Sequence, residues 1–376
     1  MKQTLSKLKL FGYCALATAL VFSCKKKEDP QPEVVVDPPA PTLSAVYSAD
    51  SLNYLEASQR MAMFTELINI TKQGNTVGKF VDSTVLRNMF YNTGSPFANA
   101  TLNTSTVKLS EAVDPSTHAL LLSYFQQLSE ASKSQTKGGK DTAGVIISEE
   151  ATSGKLYDTK GYAVYELIEK NLMGGFQVYN IGTVHLSDAN LNSTDNTARL
   201  KNWDMAFGYL GVPRNYTATT PSTPAFPLAY WASYLKTNDA TLGGNIKNIM
   251  TAFVSGRKAI EANNNTEVKA NARIIKEELD RTGAGMAMTY LFRARKAMLN
   301  QYKGRRNGAL SEGRGFLDAM KFNPSRKITD AEWNEVISYL GTNNWDTSLA
   351  DVEKALDKLG LVYGFDSNVT TSKFNK

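Results

Sequence analysis

The chain has 376 residues, 42% of them hydrophobic and 21% charged, an ordinary balance for a globular body with room for one large or two smaller cores. Its formal charge is +6, and losing the three lysines of residues 1–23 would lower that to +3, too mild an excess on so large a body to argue for nucleic acid. Both cysteines, Cys14 and Cys24, lie near the amino terminus, and only His118 and His185 offer imidazole. The body therefore has no disulfide framework or thiolate centre and few soft ligands for zinc or copper, and the residues imply no bound metal and no cofactor.

Lys2, Lys7 and Lys9 precede an apolar run from Leu10 to Phe22, the layout of a secretory signal and too short for a comfortable membrane span. The run ends in Val21-Phe22-Ser23-Cys24, which resembles the lipobox of bacterial lipoproteins. That resemblance implies that residues 1–23 are removed and that Cys24 is acylated, the two or more chains giving stable membrane anchoring where one would be marginal. No aspartate stands beside Cys24, and Lys27-Glu28-Asp29 resembles the short basic-then-acidic signal that sends some lipoproteins to the cell exterior. An outer-membrane anchor, facing the cell surface, is the expected location. Pro30, Pro32, Pro38, Pro39 and Pro41 make residues 24–44 an extended tether, leaving 45–376 as the folded body.

Helical periodicity begins in the body with Met61, Phe64, Leu67 and Ile68, and Ser58 is placed to cap it. A second helix is expected over Asp82 to Tyr91. Asp114-Pro115 opens a third, carrying Leu121, Leu122, Phe125 and Leu128. Residues 132–144 read as a polar loop; Gly138-Gly139-Lys140 lacks the spacer and the preceding strand of a phosphate loop. A long helix follows from about Tyr162 to Leu186, with a kink or close crossing at Gly174-Gly175. Asp188, Asn190 and Asn192 copy the start of a calcium loop, but Ser193 and Arg199 occupy the places of its glycine and bidentate glutamate, so a polar loop is preferred.

The stretch Arg199 to Pro213, RLKNWDMAFGYLGVP, is the centre of the pattern. Trp203, Ala206, Phe207 and Leu210 recur at i, i+3, i+4 and i+7, one apolar helical stripe, and Gly208 and Gly211 permit close approach of a neighbouring backbone. Lys201 and Asp204 lie three apart on the other face. They read either as a solvated ion pair or as a polar pair standing where relatives hold a reactive or metal-binding group. A Thr/Pro-rich loop covers residues 214–226. Helices resume over Leu228 to Lys236, Ile246 to Ala262 and Thr266 to about Tyr302, the last with possible breaks at Gly283 and Gly285. Its basic end, with Arg293, Arg305 and Arg306, reads as a solvated face or an anion-docking surface.

Asn307 to Phe322 forms the next helix, in which Glu312 sits beside Gly313 in an apolar pattern, with Arg314 or Arg257 as its expected partner. Thr329-x-x-Glu332 is a capping box for a helix to Leu340, and a final helix from Ser348 stops at Gly360. No alternating strand set stands out. The fold class is all-α, two packed helical bundles of about 45–190 and 191–376. The sequence carries no H-E-x-x-H and no G-x-S-x-G, and the carboxylates Asp204 and Glu312 are the only acid/base pair to consider.

NWDMAFGYLGVP, ASQRMAMFTEL (Ala57 to Leu67), GKLYDTKGYAVYELIEKNLMGG (Gly154 to Gly175) and NGALSEGRGF (Asn307 to Phe316) together resemble the imelysin-like lipoproteins, and more narrowly a branch known only as a domain of unknown function. The resemblance implies an all-α body of two bundles and an outer-membrane lipoprotein often linked to iron acquisition. It also implies a metal signature, G-x-H-x-x-E, in a metallopeptidase setting. Here Lys201 stands at the histidine and Asp204 at the acid, and a charged ammonium has no lone pair for a metal. A second region, Asn307 to Glu312, keeps Ser311-Glu312 without a histidine nearby. The expected function is a non-enzymatic, membrane-anchored lipoprotein that binds an envelope partner or a metal-related ligand, with Lys201, Asp204, Asn307, Ser311 and Glu312 as candidate site. The alternative is an imelysin-type metallopeptidase using Asp204 and Glu312.

Overall fold

Apolar side chains at helical spacing find one another along nearly the whole body, and the computed structural model is accordingly all-α. It describes residues 46–47, 51–149, 154–213, 215–217, 228–237 and 246–365, within the compact unit Val36–Lys376. The leader, Cys24, the tether and most of the Thr/Pro-rich loop lie outside the described residues.

After a 3₁₀ turn at Ser51–Tyr54 come α1 (Leu55–Gln73), α2 (Ser83–Tyr91), α3 (Ala100–Asn103) and α4 (His118–Ser132). A two-stranded antiparallel ribbon, β1 (Gly144–Ile147) and β2 (Gly154–Tyr157), pairs Gly144 with Tyr157 and Ile147 with Gly154. Then follow α5 (Val164–Leu172), a π-helical run (Met173–His185), α6 (Asp188–Leu191), α7 (Asn196–Leu210), α8 (Trp231–Thr237) and α9 (Ile246–Glu261). The last elements are α10 (Asn265–Leu299), α11 (Lys303–Met320), α12 (Asp330–Leu340) and α13 (Leu349–Tyr363).

Several boundaries differ from the expectation for local reasons. Helix α1 starts three residues before Ser58, whose hydroxyl is instead bonded back to the Tyr54 carbonyl within the helix. Helix α10 runs unbroken through Gly283 and Gly285. A Cβ at Gly283 would stand 2.6 Å from Met320 Cγ, so that glycine serves the contact between α10 and α11 rather than a break. Helix α13 continues past Gly360 to bury Tyr363, whose hydroxyl donates to Asp280 (3.0 Å), and Gly364 at φ +65° closes it. The ribbon escaped notice because four-residue strands are too short to display alternation.

The helix expected over residues 162–186 is continuous but changes winding at the glycine pair. Extra donors enter the backbone ladder there: from outside the run Asp114 N–H bonds the Gly175 carbonyl (2.8 Å), and from within it Asn180 Nδ2 bonds the Phe176 carbonyl (2.6 Å). Diverted carbonyls favour the wider i→i+5 bonding, as in Leu186 N–H to Ile181 O (3.0 Å). Gly174 rests on α11, where a Cβ would lie 2.4 Å from Ala319 Cα.

Helices α10 and α11 pack along one another, α9 and α13 flank α10, and α11 also lies on α5. One apolar core runs from Tyr47 to Tyr363, so elements on either side of residue 190 share it. Among the described residues no helix is long and apolar enough to cross a membrane.

Candidate functional site

Helix α7 is buried on more than its apolar stripe. Gly256 of α9 gives Trp203 its place, since a Cβ there would fall 2.0 Å from the indole, and Trp203 Nε1 donates to the Phe253 carbonyl (2.9 Å). Gly208 lets α1 approach at Ala57, as its lack of a Cβ implies. Tyr47 stacks on Phe207, ring centres 3.9 Å apart.

Asp204 does not share a solvated face with Lys201. It is 0% exposed and bound by Tyr47 Oη (2.5 Å), Asn53 Nδ2 (2.8 Å) and Arg257 Nε (3.0 Å). Burial, then the adjacent Asp204 carboxylate, pushes the Tyr47 hydroxyl well up, which keeps it a donor. Lys201 is exposed and forms no ion pair among the described residues, so it is paired with neither Asp204 nor Glu312. The expectation failed because a three-residue spacing fixes angular separation on the helix, not which neighbour covers each side.

Asn307 and Ser311 are fully buried and tie α11 to its neighbours. Ser311 Oγ donates to the Asn307 carbonyl (2.8 Å) and accepts from Ala163 N–H (2.9 Å) and Asn344 Nδ2 (3.1 Å). With its proton and lone pairs so engaged, the hydroxyl is a structural joint rather than a nucleophile. Asn307 Oδ1 accepts from Arg306 Nε (3.0 Å).

Glu312 meets a lysine, not Arg314 or Arg257. Lys155 Nζ, from β2, lies 2.8 Å from Glu312 Oε1 and 2.7 Å from Glu166 Oε1. Glu166 also takes the Tyr165 hydroxyl (2.5 Å) and Lys170 Nζ (3.2 Å). Lys170 reaches Glu169 Oε1 (2.7 Å), whose other oxygen faces Lys72 Nζ (2.7 Å). Three ammonium groups thus balance three carboxylates, with Lys170 and the three glutamates buried and Lys72 reaching in from the surface. Lys170 is 1% exposed, against the rings of Tyr234 (5.1 Å) and Phe316 (5.5 Å), in a slot that exists because Gly315 has no Cβ.

The cluster polarises its members unequally. Burial would raise Glu166, but the Lys170 and Lys155 ammoniums outweigh it and hold that carboxyl below the usual range. Burial and the neighbouring Glu166 charge push Glu312 up, against the pull of Lys155 and Lys170. Burial would lower Lys155, yet Glu166 and Glu312 raise it, so it stays charged. Burial, followed by Glu312, raises Tyr290, whose hydroxyl bonds the Glu312 carboxylate.

One side of the cluster is open. A cleft of about 270 Å³ has Lys155 and Glu312 in its floor, Tyr157 and Tyr290 in its wall and Arg293 and Arg305 at its rim. A Cβ at Gly308 would stand 3.0 Å from the Tyr157 hydroxyl and 3.6 Å from Lys155 Cδ, so glycine there leaves the α11 side of this cleft clear. The Tyr157 hydroxyl donates to the Gly304 carbonyl (2.8 Å). Glu149 accepts from Gly304 N–H and Arg305 N–H (both 3.3 Å) at the start of α11, where a helix favours negative charge.

Sequence reasoning named Glu312 but missed Lys155, Glu166, Glu169 and Lys170. Three of these carried a legible signal: Glu166, Glu169 and Lys170 stand at i, i+3 and i+4 within the apolar run Ala163 to Ile181, the same helix face. Lys155 carried none, because only folding brings β2 to α11. Among the described residues Asp204 and Glu312 share no hydrogen-bonding or ion-pair partner, so the acid/base pair of the alternative reading is not assembled by contacts. Among the described residues no three His, Cys, Asp or Glu side chains are grouped to hold a metal.

No curated protein and no solved structure matches the chain. A family model matches residues 47–365, nearly all of the described body. The chain belongs to the family described as Domain of unknown function (DUF4856).

Proposed function

We propose that this is a non-enzymatic lipoprotein, anchored in the outer membrane through Cys24, whose body binds a small anionic ligand in the cleft over Lys155 and Glu312. The carrying observation is the division of labour among the charged groups. Asp204 and Ser311 are consumed by internal bonds, whereas Lys155 and Glu312 reach an open cleft. That cleft is lined by three cations, Lys155, Arg293 and Arg305, against the one carboxylate Glu312. Its excess of positive charge favours a carboxylate- or phosphate-bearing ligand. A metal-related ligand, as the imelysin-like resemblance implies, would enter as an anionic chelate rather than as a bare cation.

The test is calorimetric titration of the full-length protein in detergent with citrate and with ferric citrate. Binding weakened about tenfold by Arg293→Gln supports the reading; no heat with either probe, or the same affinity in the variant, rejects it. The anchor is tested separately. Cys24→Ala should move the protein from the membrane to the soluble fraction, and unchanged membrane retention would refute lipidation at Cys24.

One observation favours the alternative, an imelysin-type peptidase using Asp204 and Glu312. Glu312, whose carboxyl burial pushes up, lines the open cleft, the place a proton donor must occupy to meet a substrate. Peptide cleavage by the wild type, lost in both Asp204→Ala and Glu312→Ala, would establish it in place of the binding role.

A further inference from the structure

A second cleft, of about 520 Å³, opens where the end of α11, the start of α4, the π-helical run and α12 meet. Its lining includes the carboxylates Asp318 and Asp114, the cations Lys321 and Arg326, and the rings of Tyr124 and Trp333. Burial pushes the Asp318 carboxyl up to about 6, above the ordinary aspartate value, against the pull of the Arg314 and Lys321 charges. No ammonium or guanidinium forms an ion pair with it among the described residues, although three cations are close in the sequence.

Each of those cations is engaged elsewhere. The Arg314 guanidinium lies over the Tyr162 ring (5.7 Å) and donates to the Gly341 carbonyl. Lys321 Nζ sits 4.1 Å from the centre of the Trp333 ring. Arg326 bonds Asp330 (2.5 Å), the Ile328 carbonyl (3.1 Å) and the Lys321 carbonyl (2.9 Å). On the other lip, Asp114 uses one carboxylate oxygen to cap Ser116 N–H (2.8 Å). The C-terminal turn of α11 adds its partial negative charge to the same wall. The cleft therefore combines a carboxylate that has no direct ion pair among the described residues, a second carboxylate, a helix carboxyl end and aromatic walls.

We propose that this cleft binds a cationic group, a primary ammonium or a guanidinium, with Asp318 as its counter-ion and the rings of Tyr124 and Trp333 as its walls. The cation completes a charge pair that the fold leaves open, and the ring faces attract it where water is excluded. The site is separate from the cleft over Lys155 and has the opposite charge preference. A free amine and a lysine side chain on a peptide present the same chemistry, so both are probed.

Full-length protein in detergent is titrated at neutral pH with benzylamine, with its uncharged counterpart benzyl alcohol, and with an acetylated and amidated Gly-Lys-Gly peptide. Benzylamine should bind, benzyl alcohol should bind at least about tenfold more weakly, and Asp318→Asn should remove that difference. Peptide binding at least as tight as the amine assigns the site to a peptide segment; amine binding alone assigns it to a small molecule. Lys321→Gln should strengthen benzylamine binding, because it removes a like charge and uncovers Trp333. A purely structural role for these residues would not produce that gain, and the variant carries the test if Asp318→Asn misfolds by its thermal transition. Equal affinity for amine and alcohol, no amine binding at roughly millimolar concentration, or weaker binding in Lys321→Gln each overturns the proposal.

Discussion

Replacing Lys155 by methionine removes one ammonium from between two carboxylates while keeping the length and apolar stem of the side chain. Removing one partner of a buried ion pair typically costs about 3–5 kcal/mol, because the other charge is left uncompensated. Two features of the structure set where Lys155 falls. Its side chain is 32% exposed, so water screens part of the loss. Glu166 would keep Lys170 and Tyr165, whereas Glu312 would keep the Tyr290 hydroxyl as its direct donor. We therefore expect a loss of about 2–4 kcal/mol at neutral pH, arising mainly at Glu312.

The sign of the pH dependence follows. A carboxyl whose folded pKa is raised binds its proton more tightly folded than unfolded, so its penalty is absent below the unfolded value and grows as pH rises through the folded one. Without Lys155, Glu312 moves further up, and the deficit of Lys155→Met relative to wild type shrinks on acidification. Adding Glu312→Gln should recover more than half of it at neutral pH. Urea unfolding of the three proteins at neutral and mildly acidic pH measures these quantities. A deficit below about 1 kcal/mol, or one of the same size at both pH values, would show that the cluster is screened by water and refute the reasoning.

Asp204→Asn should destabilise by about 2–4 kcal/mol, since it leaves Arg257 facing a neutral amide, while Lys201→Ala should stay within about 0.5 kcal/mol; similar losses in a melting comparison would contradict the placement of Asp204. Asp318→Asn should stabilise the protein at neutral pH. The rise from 3.8 to about 6 corresponds to a penalty of at most about 3 kcal/mol, present above the folded value and absent below the unfolded one, so unfolding free energies of variant and wild type should converge as pH falls through that window. Gly174→Ala should cost about 1–3 kcal/mol or more, since its Cβ would lie 2.4 Å from a backbone atom of α11 that cannot swing aside. Wild-type denaturation of that variant would show that the contact between the π-helical run and α11 is looser than described.

The parts of the site that were legible were those with a local cause. Glu312 stood out because a carboxylate inside an apolar helical pattern must find a partner, but the arginines expected to serve, Arg314 and Arg257, bond the Gly341 carbonyl and Asp204 instead. The true partner, Lys155, is 157 residues away on a strand too short to be recognised. Lys201 and Asp204 illustrate the converse. Their spacing places them near one another on a helix, yet Arg257 of α9, with Asn53 and Tyr47 from the stretch before α1, claims Asp204.

Helix content, the Asp114 cap and the capping box at Thr329 were determined by the sequence alone, because each depends on residues within a turn or two of one another. The tertiary structure alone decided which charges are buried together, where α13 ends, that α10 runs unbroken through its glycines, and which charged side chains line the two clefts. Those outcomes depend on which surfaces cover a side chain, and burial sets the cost of every charge left without a partner.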